Sequence, residues 1–137
     1  MLSDVLRFAT VVVIDDVRAN LRLLESSLKA FGLRQVHAFS NSGEGLEWLQ
    51  RNHWDLLLLD LDMPAPNGFD ILRALADRDR SSNPIIIITA LNDAASRRTG
   101  LELGASGWVT RNLQVQASAA AIRARVQNSG TDAYEGH

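Results

Sequence analysis

The sequence contains no cysteine, which excludes disulfide bonds, thiolate metal ligands and thiol nucleophiles. Proline and lysine are scarce, with 3 prolines and with Lys29 as the only lysine among 14 basic residues. No apolar run approaches the ~18 residues of a membrane span, and we expect neither a secretory signal nor a membrane association. The formal net charge of −2 provides no general attraction to nucleic acid or anionic lipid. We therefore expect a cytoplasmic protein whose function depends on a local site of carboxylates, hydroxyls and arginines.

The 137 residues are enough for one domain, and the content of 46% hydrophobic and 22% charged residues is typical of a globular protein. Short apolar or β-branched runs predict five strands, at Thr10–Ile14, Gln35–Phe39, Leu56–Leu59, residues 85–88 and Gly107–Thr110. Apolar residues at helical spacing predict five helices, at residues 18–31, from near Asn41 through Leu49, at residues 69–76, from Asn92 or Asp93 to Gly104, and at residues 115–126. Because the third and fourth strands are apolar on both faces, the pattern predicts an α/β fold with a doubly wound, five-stranded parallel sheet and helices on both faces.

We expect residues 8–127 to form this domain. Residues 128–137 are small and polar, which predicts a tail or linker, and their Glu-Gly-His end is compatible with a cloning scar. The predicted fold leaves no segment for a DNA-binding or catalytic output element. The chain is therefore expected to be either a stand-alone domain or a fragment of a longer protein.

Polar side chains follow three of the predicted strands directly. Asp15 and Asp16 follow the first strand, Asp60 follows the third, and Thr89 follows the fourth. Ligands of parallel sheets bind outside the carboxyl ends of the strands, so these side chains are expected in one crevice if the first and third strands are neighbours. Clustered carboxylates repel one another, and a divalent cation that prefers oxygen ligands, such as Mg²⁺, removes that repulsion. With Arg111 after the fifth strand, the set is suited to phosphoryl transfer.

The same features, in this order, resemble the receiver domain of two-component response regulators. The resemblance covers approximately residues 10–126 and consists of short motifs at receiver-like spacing: Asp15-Asp16, Leu56–Asp60, Met63-Pro64, Gly68, Thr89-Ala90 and Gly104-Ala105. Each motif is common on its own, whereas all of them in order are a specific signal.

The resemblance implies a flavodoxin-like strand order of 2-1-3-4-5 and a signalling module rather than a turnover enzyme. It implies that Asp60 accepts a phosphoryl group from a histidine kinase or phosphotransfer protein, with at most self-phosphorylation and self-dephosphorylation as activity. Mg²⁺ would be held by Asp15, Asp16, Asp60 and the backbone carbonyl of Asp62. An output domain or downstream protein would receive the signal, no nucleic acid would bind this domain, and homodimer formation stays open.

Thr89 matches the family's phosphoryl-binding hydroxyl, and Trp108 matches its aromatic switch residue. Two positions depart from the family pattern, since Arg111-Asn112 stands where Lys-Pro is usual and Trp108 where Tyr or Phe is usual. An arginine can bind a phosphate, but it is longer and planar and is not equivalent to lysine. Arg111 is therefore interpreted as a phosphate ligand or as a solvated surface residue, and Trp108 as a switch or as a cap on the sheet edge.

Other interpretations stay open. Asp15 and Asp16 are residue types that also cap helices. Asp60-Leu61-Asp62 also resembles the nucleophile motif of haloacid-dehalogenase-type phosphatases, in which the second aspartate is a general acid. The departures at Trp108 and Arg111 are also compatible with a pseudo-receiver, which binds a partner without using phosphate.

Overall fold

The computed structural model describes residues 7–111. The strands are β1 (Thr10–Ile14), β2 (Gln35–Phe39), β3 (Leu56–Leu59), β4 (Ile85–Thr89) and β5 (Gly107–Thr110). The helices are α1 (Arg18–Ala30), α2 (Ser42–Arg51), α3 (Gly68–Ala74) and α4 (Ala94–Glu102). All neighbouring strands are parallel, and their order is β2-β1-β3-β4-β5, so the predicted fold and strand order are confirmed. Asn112, the predicted helix at residues 115–126 and the predicted tail at residues 128–137 lie outside the described residues.

Apolar side chains cover both faces of the sheet. Successive residues of a strand point to opposite faces. Alternate residues of β1 and β3 therefore belong to two different core clusters, one on each face of the sheet. One core cluster includes Val12, Ile14, Leu57, Leu59, Ile85 and Ile87 together with Leu49, Trp54, Ile71 and Leu72. The other includes Val11, Val13, Leu21 and Leu58. Each fully buried side chain of this size contributes about 1.5–3 kcal/mol, so the central strands are held from both sides.

Two helices begin at side-chain caps, and a third ends at a glycine. The Asn41 side chain caps α2 by accepting a hydrogen bond from the Glu44 amide at 2.9 Å. The Asp93 side chain caps α4 in the same way, by accepting a hydrogen bond from the Ser96 amide at 2.9 Å. After α1 the chain reverses at Gly32, whose φ of 116° lies in the region that favours glycine. Within residues 7–111, no helix is long and apolar enough to cross a membrane.

Helix α3 differs from the predicted range of residues 69–76. It begins at Gly68 because Asn67 and Asp70 form a capping box, in which each side chain accepts the other residue's amide at 2.9 Å. It ends at Ala74 because Leu75 leaves helical geometry, with φ −103° and ψ 14°. This box fixes the start of the helix that follows the loop after β3.

Candidate functional site

The parallel register gathers the acidic residues at one edge of the sheet. Ile14 of β1 pairs with Leu59 of β3, and the Asp60 amide donates a hydrogen bond to the Ile14 carbonyl at 3.0 Å. Asp15 and Asp60 therefore leave two neighbouring strands side by side. One carboxylate oxygen from each of Asp15, Asp16 and Asp60 lies within 4.8 Å of the others. The structure thus brings together three acids that follow two different strands in the sequence.

Asp15 is buried and oriented by the backbone. It is 1% exposed, and its Oδ1 accepts a hydrogen bond from the Val17 amide at 2.9 Å. The N-cap residue of α1 is Val17, and no side chain caps this helix. The interpretation of Asp15 and Asp16 as helix caps is therefore wrong. Burial raises the pKa of Asp15, although the Arg111 guanidinium opposes this rise.

Asp60 is also buried, at 6% exposure. Its Oδ1 accepts a hydrogen bond from the Asp62 amide at 3.3 Å, while the Asp62 side chain is exposed. Burial, and then the charge of Asp15, raise the pKa of Asp60 to about 6. The hydroxyl of Thr89, the Asp62 amide and the Arg111 charge oppose this rise. Asp60 is therefore an acid whose negative charge is costly unless a cation or a covalent partner neutralises it.

Thr89 and Arg111 close the other side of the site. Thr89 is fully buried at the end of β4, and its Oγ1 accepts a hydrogen bond from the Leu91 amide at 3.3 Å. The Arg111 amide donates to the Thr89 carbonyl at 2.6 Å, which extends the pairing of β4 with β5. Arg111 is 7% exposed, and its Nη1 lies 2.9 Å from Asp15 Oδ2. The interpretation of Arg111 as a solvated surface residue is therefore wrong.

The residues present fit a bound divalent cation. Asp16 Oδ1 is buried without a hydrogen-bond donor among residues 7–111, and the buried Asp15 Oδ2 is paired with the Arg111 guanidinium. A buried carboxylate oxygen without a donor is costly, and hard cations such as Mg²⁺ bind this type of oxygen. Three carboxylates share the site with one guanidinium, so an excess of negative charge remains for a cation.

Gly68 is a structural residue of the site that the sequence interpretation treated as part of a loop and as one of the receiver-like motifs, without a structural role. A Cβ atom at this position would lie 2.6 Å from the Asp60 carbonyl oxygen and 2.6 Å from Leu61 Cα. The start of α3 therefore approaches the segment of Asp60 more closely than any other residue type allows. The signals in the sequence were a glycine shortly after a proline-containing loop and its receiver-like spacing from Asp60.

Trp108 packs into a gap on α4 that Gly100 leaves open. A Cβ at Gly100 would lie 2.6 Å from Trp108 Cζ3, and the Arg97 guanidinium carbon lies 5.8 Å from the centroid of the indole. The indole Nε1 is buried without a hydrogen-bond partner among the described residues. The Trp108 indole thus packs between β5 and α4. The sequence interpretation did not predict its contacts with Gly100 and Arg97.

Comparison with known proteins places these features in a family. The family model of the response regulator receiver domain matches residues 11–123. Response regulator PleD of Caulobacter vibrioides is 38% identical over 104 residues, which are 75% of this chain and 23% of that protein. Probable transcriptional regulator ycf27 of Porphyridium aerugineum is 37% identical over 113 residues, which are 82% of this chain and 46% of the relative. The chain thus spans about half the length, or less, of these curated relatives.

Solved structures show the same fold. A response regulator receiver domain from Rhodospirillum rubrum superimposes with a TM-score of 0.71 at 27% identity, over 84% of this chain and 89% of that one. The chemotaxis response regulator CheY4 of Vibrio cholerae has a TM-score of 0.71 at 21% identity, over 88% of this chain and 98% of that one. Because the family match extends over most of the sequence and includes the acidic edge of the sheet, this chain belongs to the response regulator receiver domains of two-component systems.

Proposed function

We propose that this chain is a phosphoacceptor, in which Asp60 takes a phosphoryl group from a phosphohistidine on a histidine kinase or phosphotransfer protein. The observation that carries this proposal is the approach of Asp15, Asp16 and Asp60 oxygens to within 4.8 Å of one another. Membership of the receiver family supports it, since receivers are signalling domains rather than turnover enzymes.

In this proposal Asp60 acts as the nucleophile. A bond forms between its carboxylate oxygen and phosphorus while the bond from phosphorus to the histidine nitrogen breaks, and the imidazole leaves. The Asp62 amide, 3.3 Å from Asp60 Oδ1, orients the carboxylate. Arg111 is close enough for its positive charge to lower the pKa of Asp60, which favours the ionised, nucleophilic form.

Asp15, Asp16 and Asp60 are the side chains that would hold Mg²⁺, together with the backbone carbonyl of Asp62. When bound, the ion supplies charge neutralisation for the carboxylates and for the phosphoryl oxygens. The buried Asp16 Oδ1, which has no hydrogen-bond donor among residues 7–111, supports this ligand set.

We assign the passage of the signal to Thr89 and Trp108. A phosphoryl group on Asp60 offers new acceptors to the Thr89 hydroxyl, which already influences the Asp60 carboxyl. Trp108 lies on β5 and pairs with Ile87 of β4, two residues before Thr89. A small shift of Thr89 would therefore be transmitted through β4 and β5 to the indole, which packs against Gly100. A change of charge at Asp60 can in this way bias the packing of Trp108.

Phosphorylation by acetyl phosphate with Mg²⁺, measured as the mass of the intact protein, tests the proposal. We expect the wild type to gain one phosphoryl group and the Asp60→Asn variant to gain none. Asp62→Asn is the matched control, because it removes a neighbouring exposed carboxylate and keeps the backbone carbonyl. An unmodified wild type, or an Asp60→Asn variant modified as fully as the wild type, contradicts the proposal.

A phosphorylation-independent pseudo-receiver is the second candidate. The ion pair between Arg111 and Asp15 favours it, since it neutralises part of the site without a metal. In that case Asp60→Asn leaves partner binding and output unchanged. The phosphatase alternative has no support from the family match, and steady release of phosphate from small phosphomonoesters would be its distinguishing result.

The output of the signal lies with other parts of the system. Relatives of this chain are named as transcriptional regulators and as response regulator PleD, and they are about twice as long as this chain or longer. We propose that this receiver likewise controls an output domain or a downstream protein.

A further inference from the structure

The Arg111 guanidinium lies at the oxygen through which Asp15 would bind a cation. Oδ1 of Asp15 is engaged by the Val17 amide at 2.9 Å, whereas Oδ2 faces Arg111 Nη1 at 2.9 Å. The guanidinium therefore places a positive charge directly at Oδ2. The contact is an ion pair between two buried groups, at the oxygen of Asp15 that the Val17 amide leaves unused.

A metal ion and the guanidinium would compete for this oxygen, because both are cations. Asp15 would hold the ion through the oxygen that Arg111 Nη1 already contacts at 2.9 Å. Both partners are buried, with side-chain exposures of 4% for Arg111 and 1% for Asp15. Repulsion between two cations is strong where water is excluded, so metal binding requires the Arg111 side chain to leave Asp15.

We propose that Arg111 is a tethered competitor of the divalent cation, so that the Arg111–Asp15 ion pair and metal coordination at Asp15 exclude each other. The affinity for Mg²⁺ is then lower than that of the three carboxylates alone, and metal binding releases the guanidinium from Asp15. This inference rests on the proposed function, because it concerns the same site.

The anchoring of Arg111 makes the exchange a side-chain movement. Its amide donates to the Thr89 carbonyl at 2.6 Å, which fixes the backbone beside the site. Arginine does not lose its proton in proteins, so the competition ends by displacement and not by deprotonation. A guanidinium released from Asp15 stays near Asp60, because the Arg111 charge already acts to lower the pKa of that carboxyl.

Isothermal titration of metal-free protein with Mg²⁺ at neutral pH tests the competition. We expect Arg111→Met, which keeps a long side chain and removes the charge, to bind Mg²⁺ at least about tenfold more tightly than the wild type. Arg51→Met is the matched control, because Arg51 is 74% exposed on α2 and pairs with Glu47 at 3.2 Å. Its screened surface charge should alter the affinity by less than about twofold.

The displacement is measured separately on the wild type by nitrogen NMR of arginine side chains, with the Arg111 signal assigned by its absence in Arg111→Met. We expect the Arg111 Nε–H signal to shift and its exchange with water to accelerate as Mg²⁺ saturates the protein. The shift is measured on the wild type, and the variant serves only to assign the signal.

The outcomes separate this inference from the proposed function. Equal Mg²⁺ affinities for wild type and Arg111→Met, or an Arg111 signal that Mg²⁺ leaves unchanged, overturn the competition and leave the metal site intact. An absence of Mg²⁺ binding in both proteins overturns the metal site and the inference together.

Discussion

Asp60 and Asp15 are two buried acids whose ionisation works against the folded state. Burial is the first cause of the raised pKa of each, and the charge of Asp15 adds to that of Asp60. Active sites commonly concentrate charge that the fold alone would avoid, at a cost in stability. In the proposed function a cation or a phosphoryl group relieves that cost, which would couple the chemistry of the site to the free energy of unfolding.

We expect the stability of metal-free protein to fall as the pH rises through about 6. Asp60 holds its proton more tightly in the folded chain, where its pKa is about 6, than at its ordinary value of 3.8. Ionisation between these values therefore favours unfolding, by up to about 3 kcal/mol. Asp60→Asn removes this contribution, so urea unfolding in EDTA should show a variant about 1–3 kcal/mol more stable than the wild type above pH 7.

Asp62→Asn controls for the loss of a negative charge near the site, because its side chain is exposed. It should retain the loss of stability near pH 6 that we attribute to Asp60. If Asp60→Asn retains the wild-type pH dependence, Asp60 is not the group that titrates near pH 6.

The start of α3 and the end of β3 are packed too closely for a side chain at Gly68. The Gly68 amide donates to the Leu61 carbonyl at 3.1 Å, and this bond fixes the two segments together. The capping box of Asn67 and Asp70 sets the position from which the helix departs. The position of Asp60 therefore depends on a helix end as well as on its own strand.

Gly68→Ala should destabilise the protein by about 1–3 kcal/mol, because the added Cβ meets backbone atoms that a side-chain rotation cannot move. Helix propensity alone predicts the opposite sign, with a gain of up to about 1 kcal/mol. Urea unfolding decides between them. Gly107→Ala is the control, since its Cβ would meet nothing closer than 3.8 Å. A stabilised Gly68→Ala variant would show that the approach to Asp60 is not tight.

Helix α4 and strand β5 meet through Trp108 and Gly100. We expect Gly100→Ala to displace the indole, because the new Cβ would lie 2.6 Å from Cζ3. The contribution of Trp108 to fluorescence, obtained by subtracting the spectrum of Trp108→Phe in each background, should move to longer wavelength as the ring gains water.

The double variant gives the matched comparison. In a Trp108→Ala background the ring is gone, so Gly100→Ala should be neutral or stabilising by up to about 1 kcal/mol. A Gly100→Ala variant with an unchanged Trp108 spectrum would indicate that the indole is not held by this gap.

The acidic edge connects separate parts of the fold, because its three carboxylates follow β1 and β3. Anything that binds these residues only in the folded state stabilises all of the elements that position them. We expect Mg²⁺ to raise the unfolding temperature of the wild type, by an amount equivalent to about 2.7 kcal/mol at a hundred times its dissociation constant. Asp15→Asn and Asp60→Asn should lose most of this effect in thermal scans with and without EDTA. An equal rise in these variants would show that Mg²⁺ acts elsewhere.

Local patterns in the sequence were sufficient for the strands, for the order of elements and for the identity of the acids. Four strands have the predicted bounds, and β4 extends to Thr89, one residue beyond the prediction. The strand bounds were predictable because an apolar β-branched run and the polar residue that follows it are adjacent in the sequence. The strand order came from the family resemblance and not from the residues alone.

Local sequence patterns could not predict contacts between distant segments of the chain. The partner of Arg111 is Asp15, at the far end of the described chain, and nothing near Arg111 in the sequence distinguishes it from a surface arginine. The close approach of Gly68 to Asp60 and the seat of Trp108 at Gly100 likewise depend on how helices pack against the sheet. Burial, ion pairing and steric exclusion are properties of atoms that meet in space, so folding, and not local order along the chain, selects these partners.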